Sequence, residues 1–226
     1  MIAALVKALA QLSDPRLRRV LYVGVLAAVL AYLALVGIAW AVIARSHWFD
    51  AGWAETGSHL LADALVLILP LPFFPALATT AMSAMLERVA EAVEERHYPQ
   101  LNWPRPQKWA EILATTLRFL GVTLVVNAVA LPLYGALLFT GLTIVVSAII
   151  NGYLLGREYF EVVAFRWLRP KDARRLFRER AGRLWLAGAI IYGLFQIPVV
   201  NLVAPVIATA FMTHLFQALR PRTREV

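Results

Sequence analysis

The chain alternates long apolar segments with short segments rich in arginine and glutamate. No Asp, Glu, Lys or Arg occurs in residues 20–44, 64–86, 119–156 or 184–219. Apolar runs of roughly 18 or more residues without charge are typical of membrane-spanning helices. The pattern therefore predicts an all-α integral membrane protein in which residues 1–226 form a single membrane domain.

Two of the apolar segments predict long transmembrane helices. The first helix covers residues 15–45 and begins at Asp14-Pro15, where an N-cap residue precedes a proline of the first turn. The second covers residues 58–98, is interrupted by three prolines and continues into a charged cytoplasmic extension. Residues 1–14 carry apolar side chains at helical spacing and predict an amphipathic helix that lies in the membrane interface.

The remaining apolar segments predict two proline-bent helical hairpins. Hairpin 1 covers residues 107–168 with its bend at Pro132, and hairpin 2 covers residues 172–220 with its bend at Pro198. The charge-free part of each first arm has about 13 or 14 residues, fewer than the roughly 20 that a crossing helix needs. We therefore expect both hairpins to be re-entrant and only partly penetrating, with full crossings as the alternative.

The distribution of basic residues indicates the orientation of the chain. The formal net charge is +8, and arginines cluster in residues 166–183, ahead of the first span and at the C-terminus. The 46–58 loop contains no Lys or Arg. Cytoplasmic loops carry the excess of Lys and Arg, so both termini of this multi-pass protein are predicted in the cytoplasm of a bacterium, at the inner membrane. Basic residues beside apolar spans indicate contact with the lipid bilayer, and we expect no nucleic-acid partner.

The first candidate site is the arginine-rich start of the first long helix. Arg16, Arg18 and Arg19 lie beside backbone N–H groups at the positive end of a helix dipole, a combination that binds tetrahedral oxyanions. The alternative is that these arginines only anchor the helix to lipid phosphates and set its orientation.

The second candidate site is the polar end of a long apolar helix, residues 151–161. Arg157 and Glu161 are spaced for an ion pair, and ionisable groups near membrane depth usually face a protein interior or a water-filled path. Gly152 and Gly156 form the small-xxx-small pattern of close helix packing. A purely structural role is the alternative for the whole segment. The pore or gate candidates are Arg157, Glu158, Glu161, Asn151 and Asn201.

Signals of catalysis are missing from the sequence. Cysteine is absent, and the four histidines show no metal-ligand spacing. No phosphate-binding loop, dinucleotide fingerprint or nucleophile elbow occurs. The sequence therefore indicates no metal site, no cofactor, no catalytic residue and no enzyme.

Three segments resemble the CysZ sulfate-permease family, which shares a domain with the etoposide-induced membrane proteins. Residues 15–19 (PRLRR) resemble the family's Pro-Gly-Leu-Arg-Arg motif, and residues 151–161 resemble its aromatic–acidic segment. Residues 197–206 (IPVVNLVAPV) resemble its C-terminal Ile-Pro-x-x-Asn-Leu…Pro signature. With the order of the segments and the amphipathic N-terminus, the resemblance covers nearly the whole chain. Arg16 stands where the family often has glycine.

The resemblance implies a homo-oligomer, a dimer or higher, that lets sulfate pass into the cytoplasm for cysteine biosynthesis. By position, the family's sulfate-binding motif corresponds to Arg16, Leu17, Arg18 and Arg19. The family binds sulfate there through backbone N–H groups and the last two arginines. The alternatives are a less selective anion channel, and a non-transporting membrane scaffold or lipid-interacting protein of the same fold.

Overall fold

The computed structural model describes residues 1–45, 81–82, 85–101, 104–137 and 139–220. Within these ranges the chain is helical and contains no strand, so the predicted all-α class is confirmed. The helices are α1 (Ile2–Ala10), α2 (Pro15–Arg45), α3 (Leu86–His97), α4 (Trp109–Leu137), α5 (Leu142–Ala164), α6 (Pro170–Glu179), α7 (Ala181–Phe195), α8 (Pro198–Asn201) and α9 (Ala204–Leu219).

The first long helix begins where the sequence predicts. Asp14 has an extended backbone, and its carboxylate accepts a hydrogen bond from the Arg16 N–H at 2.9 Å. Pro15 occupies the first helical position, where the missing N–H costs nothing. Asp14 is therefore the N-cap of α2, as expected from its position before proline.

The N-terminal helix α1 has a buried and an exposed apolar face. Ala8 is fully buried, and the helix packs against α9. Ile2, Val6 and Leu9 are exposed by 82%, 59% and 44%. A position in the membrane interface would cover this second face with lipid, and that position stays a prediction.

Among the described residues, two helices are long and apolar enough to cross a membrane: Pro15–Ile38 within α2, and Trp109–Leu137, which is α4. In their most apolar 18-residue windows, only 11% and 6% of the residues are buried. Exposed apolar surface of this extent fits a lipid environment, because a core helix of a soluble protein would be covered by the protein.

The second long helix expected from the sequence, residues 58–98, falls mostly outside the described residues. Its charged end is the helix α3, which begins at Leu86 after a turn at Met85. The extension is thus a separate helix with its own start.

The bend of hairpin 1 lies at a different place from the predicted one. Pro132 is inside α4, which continues to Leu137, and α5 begins after Gly141. Gly141 has a φ of +70°, a left-handed conformation that glycine adopts without strain. The prediction of a bend at Pro132 was wrong, because a long helix tolerates one proline when only a single hydrogen bond is lost. With 29 residues α4 is about 43 Å long, so the length argument for re-entry no longer applies to its arm.

Hairpin 2 bends where the sequence predicts, around Pro198. Its predicted first arm from Arg174 is nevertheless divided, because Arg180 is not helical and separates α6 from α7. The helices α7 and α9 have 15 and 16 residues. Each is therefore about 23 Å long, less than the roughly 30 Å of a hydrocarbon core. These lengths are consistent with a partly penetrating hairpin 2, which stays a prediction.

The centre of the described fold is α9. Its residues from Ala204 to Phe216 are buried on every side, including the polar Thr209, Thr213 and His214. The helix contacts α1, α3, α5 and α7. A helix that is apolar all round needs such enclosure, so the second arm of hairpin 2 is the core of the molecule.

A close crossing of α5 and α7 depends on glycine. A Cβ on Gly188 of α7 would collide with the carbonyl oxygen of Gly152 and with the backbone nitrogen of Gly156. The packing predicted for Gly152 and Gly156 is therefore confirmed. This contact sets the position of the polar end of α5.

Candidate anion-binding sites

The first candidate site lies on the first turn of α2. We call Arg16, Leu17, Arg18 and Arg19 the motif face. Leu17 is 1% exposed and packs in the core, whereas the three arginines are exposed. The side chains of Arg18 and Arg19 make no ion pair or hydrogen bond with any residue that the structure describes. Their guanidinium groups are the part of the motif face that an anion can reach.

Acidic side chains neutralise the other part of the motif face. Asp14 accepts the Arg16 N–H, and Arg96 of α3 pairs with the same carboxylate at 2.7 Å. Arg16 pairs through its own side chain with Glu95. Burial raises the pKa of Asp14, but the hydrogen bonds from Arg16 and Arg96 and their charges outweigh it and lower the pKa below its usual value. Asp14 is thus ionised at neutral pH and competes with an external anion for the end of the helix.

A cluster of buried polar side chains lies at the turn that precedes the motif face. The side chain of Gln11 lies 2.6 Å from Nδ1 of His97 and 3.2 Å from Nε2 of His214. The Tyr98 hydroxyl lies 3.0 Å from Nδ1 of His214. Burial is the main cause that lowers the pKa of both histidines, that of His214 to about 4. Both imidazoles are therefore neutral at pH 7 and join the turn after α1 to α3 and α9 through hydrogen bonds.

The structure brings together three of the five pore or gate candidates. Arg157 and Glu161 form an ion pair at 2.8 Å with side chains that are 9% and 13% exposed, which confirms the predicted pair. Glu158 lies on the same helix and lines a cavity of about 270 Å³ together with Glu161 and Glu87. The polar end of α5 is therefore a half-buried charged segment that borders open space.

The two asparagines lie away from this pair. Asn151 donates to the carbonyl of Ser147 at 2.9 Å, and the Ser147 hydroxyl lies 2.6 Å from the hydroxyl of Tyr192 on α7. Asn201 is in α8, at the bend of hairpin 2, and its Oδ1 finds no hydrogen-bond partner in the described part of the chain. Asn151 thus contacts Ser147 on its own helix, and Ser147 connects α5 to α7, which favours a structural role for Asn151.

A second cavity, of about 180 Å³, lies where α4, α5 and α6 meet. Its charged lining consists of Arg118 from α4, Arg157 and Glu161 from α5, and Arg174 and Arg178 from α6. We call it the arginine cavity. The guanidinium of Arg157 also lies over the ring of Phe119, 5.9 Å from the ring centroid, and so connects α5 to α4.

Comparison with known families gives the context for both sites. A family model described as sulfate transporter CysZ/Etoposide-induced protein 2.4 matches residues 4–205. The chain belongs to this family. It is a membrane protein of a transporter family, and the family's description names no enzymatic activity. A search of curated proteins finds no match.

The sequence of this CysZ/Etoposide-induced protein 2.4 family member did not identify three residues of the arginine cavity: Arg118, Arg174 and Arg178. Arg174 and Arg178 were counted only as part of a basic segment that sets orientation. Their spacing of four residues places them on one face of α6, and that was the available signal. Arg118 is an isolated cation in an apolar helix, and its approach to α6 depends on packing that periodicity does not show.

Proposed function

We propose that this chain is a sulfate permease or channel of the bacterial inner membrane that supplies sulfate for cysteine biosynthesis. The observation that carries the proposal is the pair Arg18 and Arg19. They are exposed, have no carboxylate partner among the described residues, and lie on the first turn of a helix long enough to cross the membrane. The family description supplies the substrate class.

The donors of the motif face suit a tetrahedral oxyanion. Guanidinium groups present paired N–H donors, and the first turn of α2 adds a fixed positive partial charge. Sulfate offers only acceptor oxygens at neutral pH, whereas monohydrogen phosphate also has to donate a proton. Since Asp14 and Glu95 are already engaged with arginines, Arg18 and Arg19 present donors alone, and this favours sulfate.

The charged end of α5 is the proposed gate. Glu161 lines both the arginine cavity and the cavity that Glu158 lines, and it pairs with Arg157, which lines the arginine cavity. Ionisable residues at such a position are typical of an ion path. The proposal also places both termini on the cytoplasmic side of the membrane. It includes assembly of the chain as a homo-oligomer.

Uptake of radiolabelled sulfate into proteoliposomes tests the function. The variants are R18A/R19A and, as a matched control, R175A, because Arg175 is exposed and pairs with Glu179 on its own helix. We expect uptake above that of empty liposomes, undiminished by excess chloride and unchanged by R175A. The R18A/R19A variant should lose roughly tenfold or more, as expected when charged hydrogen bonds to the anion are removed.

Two outcomes would redirect the assignment. Folded protein that transports no more than empty liposomes contradicts the permease and favours a scaffold of the same fold. Uptake that excess chloride suppresses contradicts sulfate selectivity and favours a general anion channel.

A further inference from the structure

We propose that the arginine cavity is a second binding site, separate from the motif face, for a tetrahedral oxyanion with two negative charges. The guanidinium groups of Arg118, Arg174 and Arg178 would bind this anion. The inference goes beyond the proposed function, since binding at this place requires no transport.

The charge balance of the cavity is the main argument. Among the described residues, Arg118, Arg157, Arg174 and Arg178 line it together with a single carboxylate, Glu161. That carboxylate is already paired with Arg157 at 2.8 Å. The other three arginines have no ion pair or hydrogen bond within the described ranges of the chain. Three cations from two helices therefore converge without a counter-charge, and a dianion would remove their repulsion.

Burial and the neighbouring arginines both act on the pKa of Arg174. Burial lowers the pKa of Arg174, and the charge of Arg118 lowers it further, with smaller contributions of the same sign from Arg157 and Arg178. The charge of Glu161 acts in the opposite direction. A guanidinium does not lose its proton in a protein, so the lowered pKa marks an environment that disfavours the cation and would favour an anion beside it.

The size and walls of the cavity fit such a ligand. About 180 Å³ corresponds to roughly six water molecules, enough for a tetrahedral oxyanion with part of its hydration. Tyr153 lines the same space, and the rings of Phe160 and Phe177 form an apolar wall with centroids 5.5 Å apart. An apolar wall beside the guanidinium groups lowers the local dielectric constant and strengthens their attraction for an anion.

A tetrahedral oxyanion can reach this cavity either as a free ion or as part of a lipid headgroup. Free sulfate or phosphate reaches the site from the cytoplasm, and a phosphomonoester lipid headgroup reaches it from the membrane surface. Arginine binds both through the same paired donors. The experiment therefore has separate arms for free anions and for lipid.

Modification of arginine by phenylglyoxal, measured residue by residue by peptide mass spectrometry, tests the proposal on the full-length protein. One arm uses phospholipid-free detergent with sulfate, phosphate or chloride at equal ionic strength. The other uses nanodiscs with or without phosphatidic acid. We expect modification of Arg174 and Arg178 to slow roughly tenfold in sulfate or phosphate relative to chloride. Arg175 on the same helix is the internal control, and its rate should not change.

The pattern of protection decides both the site and the source. Protection by phosphatidic acid but not by free anions identifies the lipid headgroup as the ligand. The absence of protection at Arg174 and Arg178 in every arm overturns the proposal.

Variants separate this cavity from the motif face. In an R18Q/R19Q background, the anion should still protect Arg118 from modification. Adding R174Q/R178Q to this background should abolish the protection of Arg118, whereas adding R175Q should leave it unchanged. If Arg118 stays protected in R174Q/R178Q, the cavity is not the site. Circular dichroism checks that each variant is folded. If a variant does not fold, the protection measured on the wild-type protein still tests the site. Loss of sulfate uptake with intact protection would contradict the proposed function alone.

Discussion

The motif face and the arginine cavity both gather arginines, but they differ in what neutralises them. At the motif face, Asp14 and Glu95 hold the end of the helix and Arg16, so only Arg18 and Arg19 remain. In the arginine cavity, four arginines share one carboxylate. The contiguous arginines of the motif are thus partly compensated, while arginines distant in sequence form the more positive site. A run of basic residues is therefore a poor measure of local positive charge.

The two regions also differ in what supports them. The motif face follows a turn whose Gln11 is bonded to two neutral histidines, so its support depends on protonation. The arginine cavity includes Arg157, whose helix is positioned by a glycine contact that has no titratable group. Changes of packing should therefore affect the cavity first, and acid should affect the motif face first.

The largest effect is expected from Gly188→Ala, which tests the support of the arginine cavity. The new Cβ collides with backbone atoms of α5, and rigid backbone cannot move aside as a flexible side chain does. We expect a loss of about 3 kcal/mol or more in the free energy of unfolding, at the upper end for overpacking. Thermal unfolding in detergent measures it.

Gly193→Ala is the matched control on the same helix. A Cβ there meets nothing within 4 Å, so the substitution should stabilise α7 by about 0.5 to 1 kcal/mol. Equal effects of the two substitutions would contradict the close crossing.

Acid should weaken the support of the motif face by a similar amount. The pKa of His214 falls from 6.5 to about 4 on folding, so between these values the unfolded chain binds a proton that the folded chain does not. Stability is then fully present above pH 6.5 and falls as the pH approaches 4, by about 3 kcal/mol in total. Denaturation measured at pH 7.5, 6 and 5 should show this slope, and His214→Asn should reduce it. A stability that is flat over this range contradicts the neutral cluster.

Glu161→Gln should have a smaller and ligand-dependent effect at the arginine cavity. It replaces the charged acceptor of the mostly buried Arg157 with a neutral one, which we expect to cost about 2 kcal/mol of stability in chloride. Because the cavity also loses the acidic residue Glu161 from its lining, sulfate should restore more stability to this variant than to the wild type. Melting temperatures in sulfate and chloride test this expectation, and equal shifts for both proteins would contradict it.

Asp14→Asn should give the smallest effect and acts on the motif face. The amide can still cap α2, and the lost ion pair with the exposed Arg96 should cost about 1 kcal/mol or less, but a negative charge at the start of the motif face is removed. We expect roughly twofold faster sulfate uptake at low sulfate concentration, and less at high ionic strength. Slower uptake would mean that Asp14 assists the anion and does not compete with it.

The helical class and the charged pair on α5 were predictable from local pattern. Arg157 and Glu161 are one helical turn apart, so their contact follows once the segment is helical. The N-cap at Asp14 follows in the same way from the proline beside it. Each of these features depends on residues a few positions apart.

The features that could not be predicted depend on distant segments or on competing local signals. Pro132 suggested a bend, but the helix continued to a glycine with positive φ. The meeting of Arg118 with Arg174 depends on how α4, α5 and α6 pack. The pairing of Arg16 with Glu95 likewise depends on where α3 lies beside α2.

The initial rate of sulfate uptake by R18K/R19K proteoliposomes, compared with that of wild type, tests directly whether the motif face recognises sulfate. Lysine keeps both positive charges but loses the planar paired donors of arginine. If the motif face recognises sulfate through those donors, the rate should fall by roughly tenfold and approach that of R18A/R19A. If the arginines act only as charges that anchor and orient the helix, R18K/R19K will transport sulfate as fast as wild type, which would contradict recognition of sulfate by the motif face.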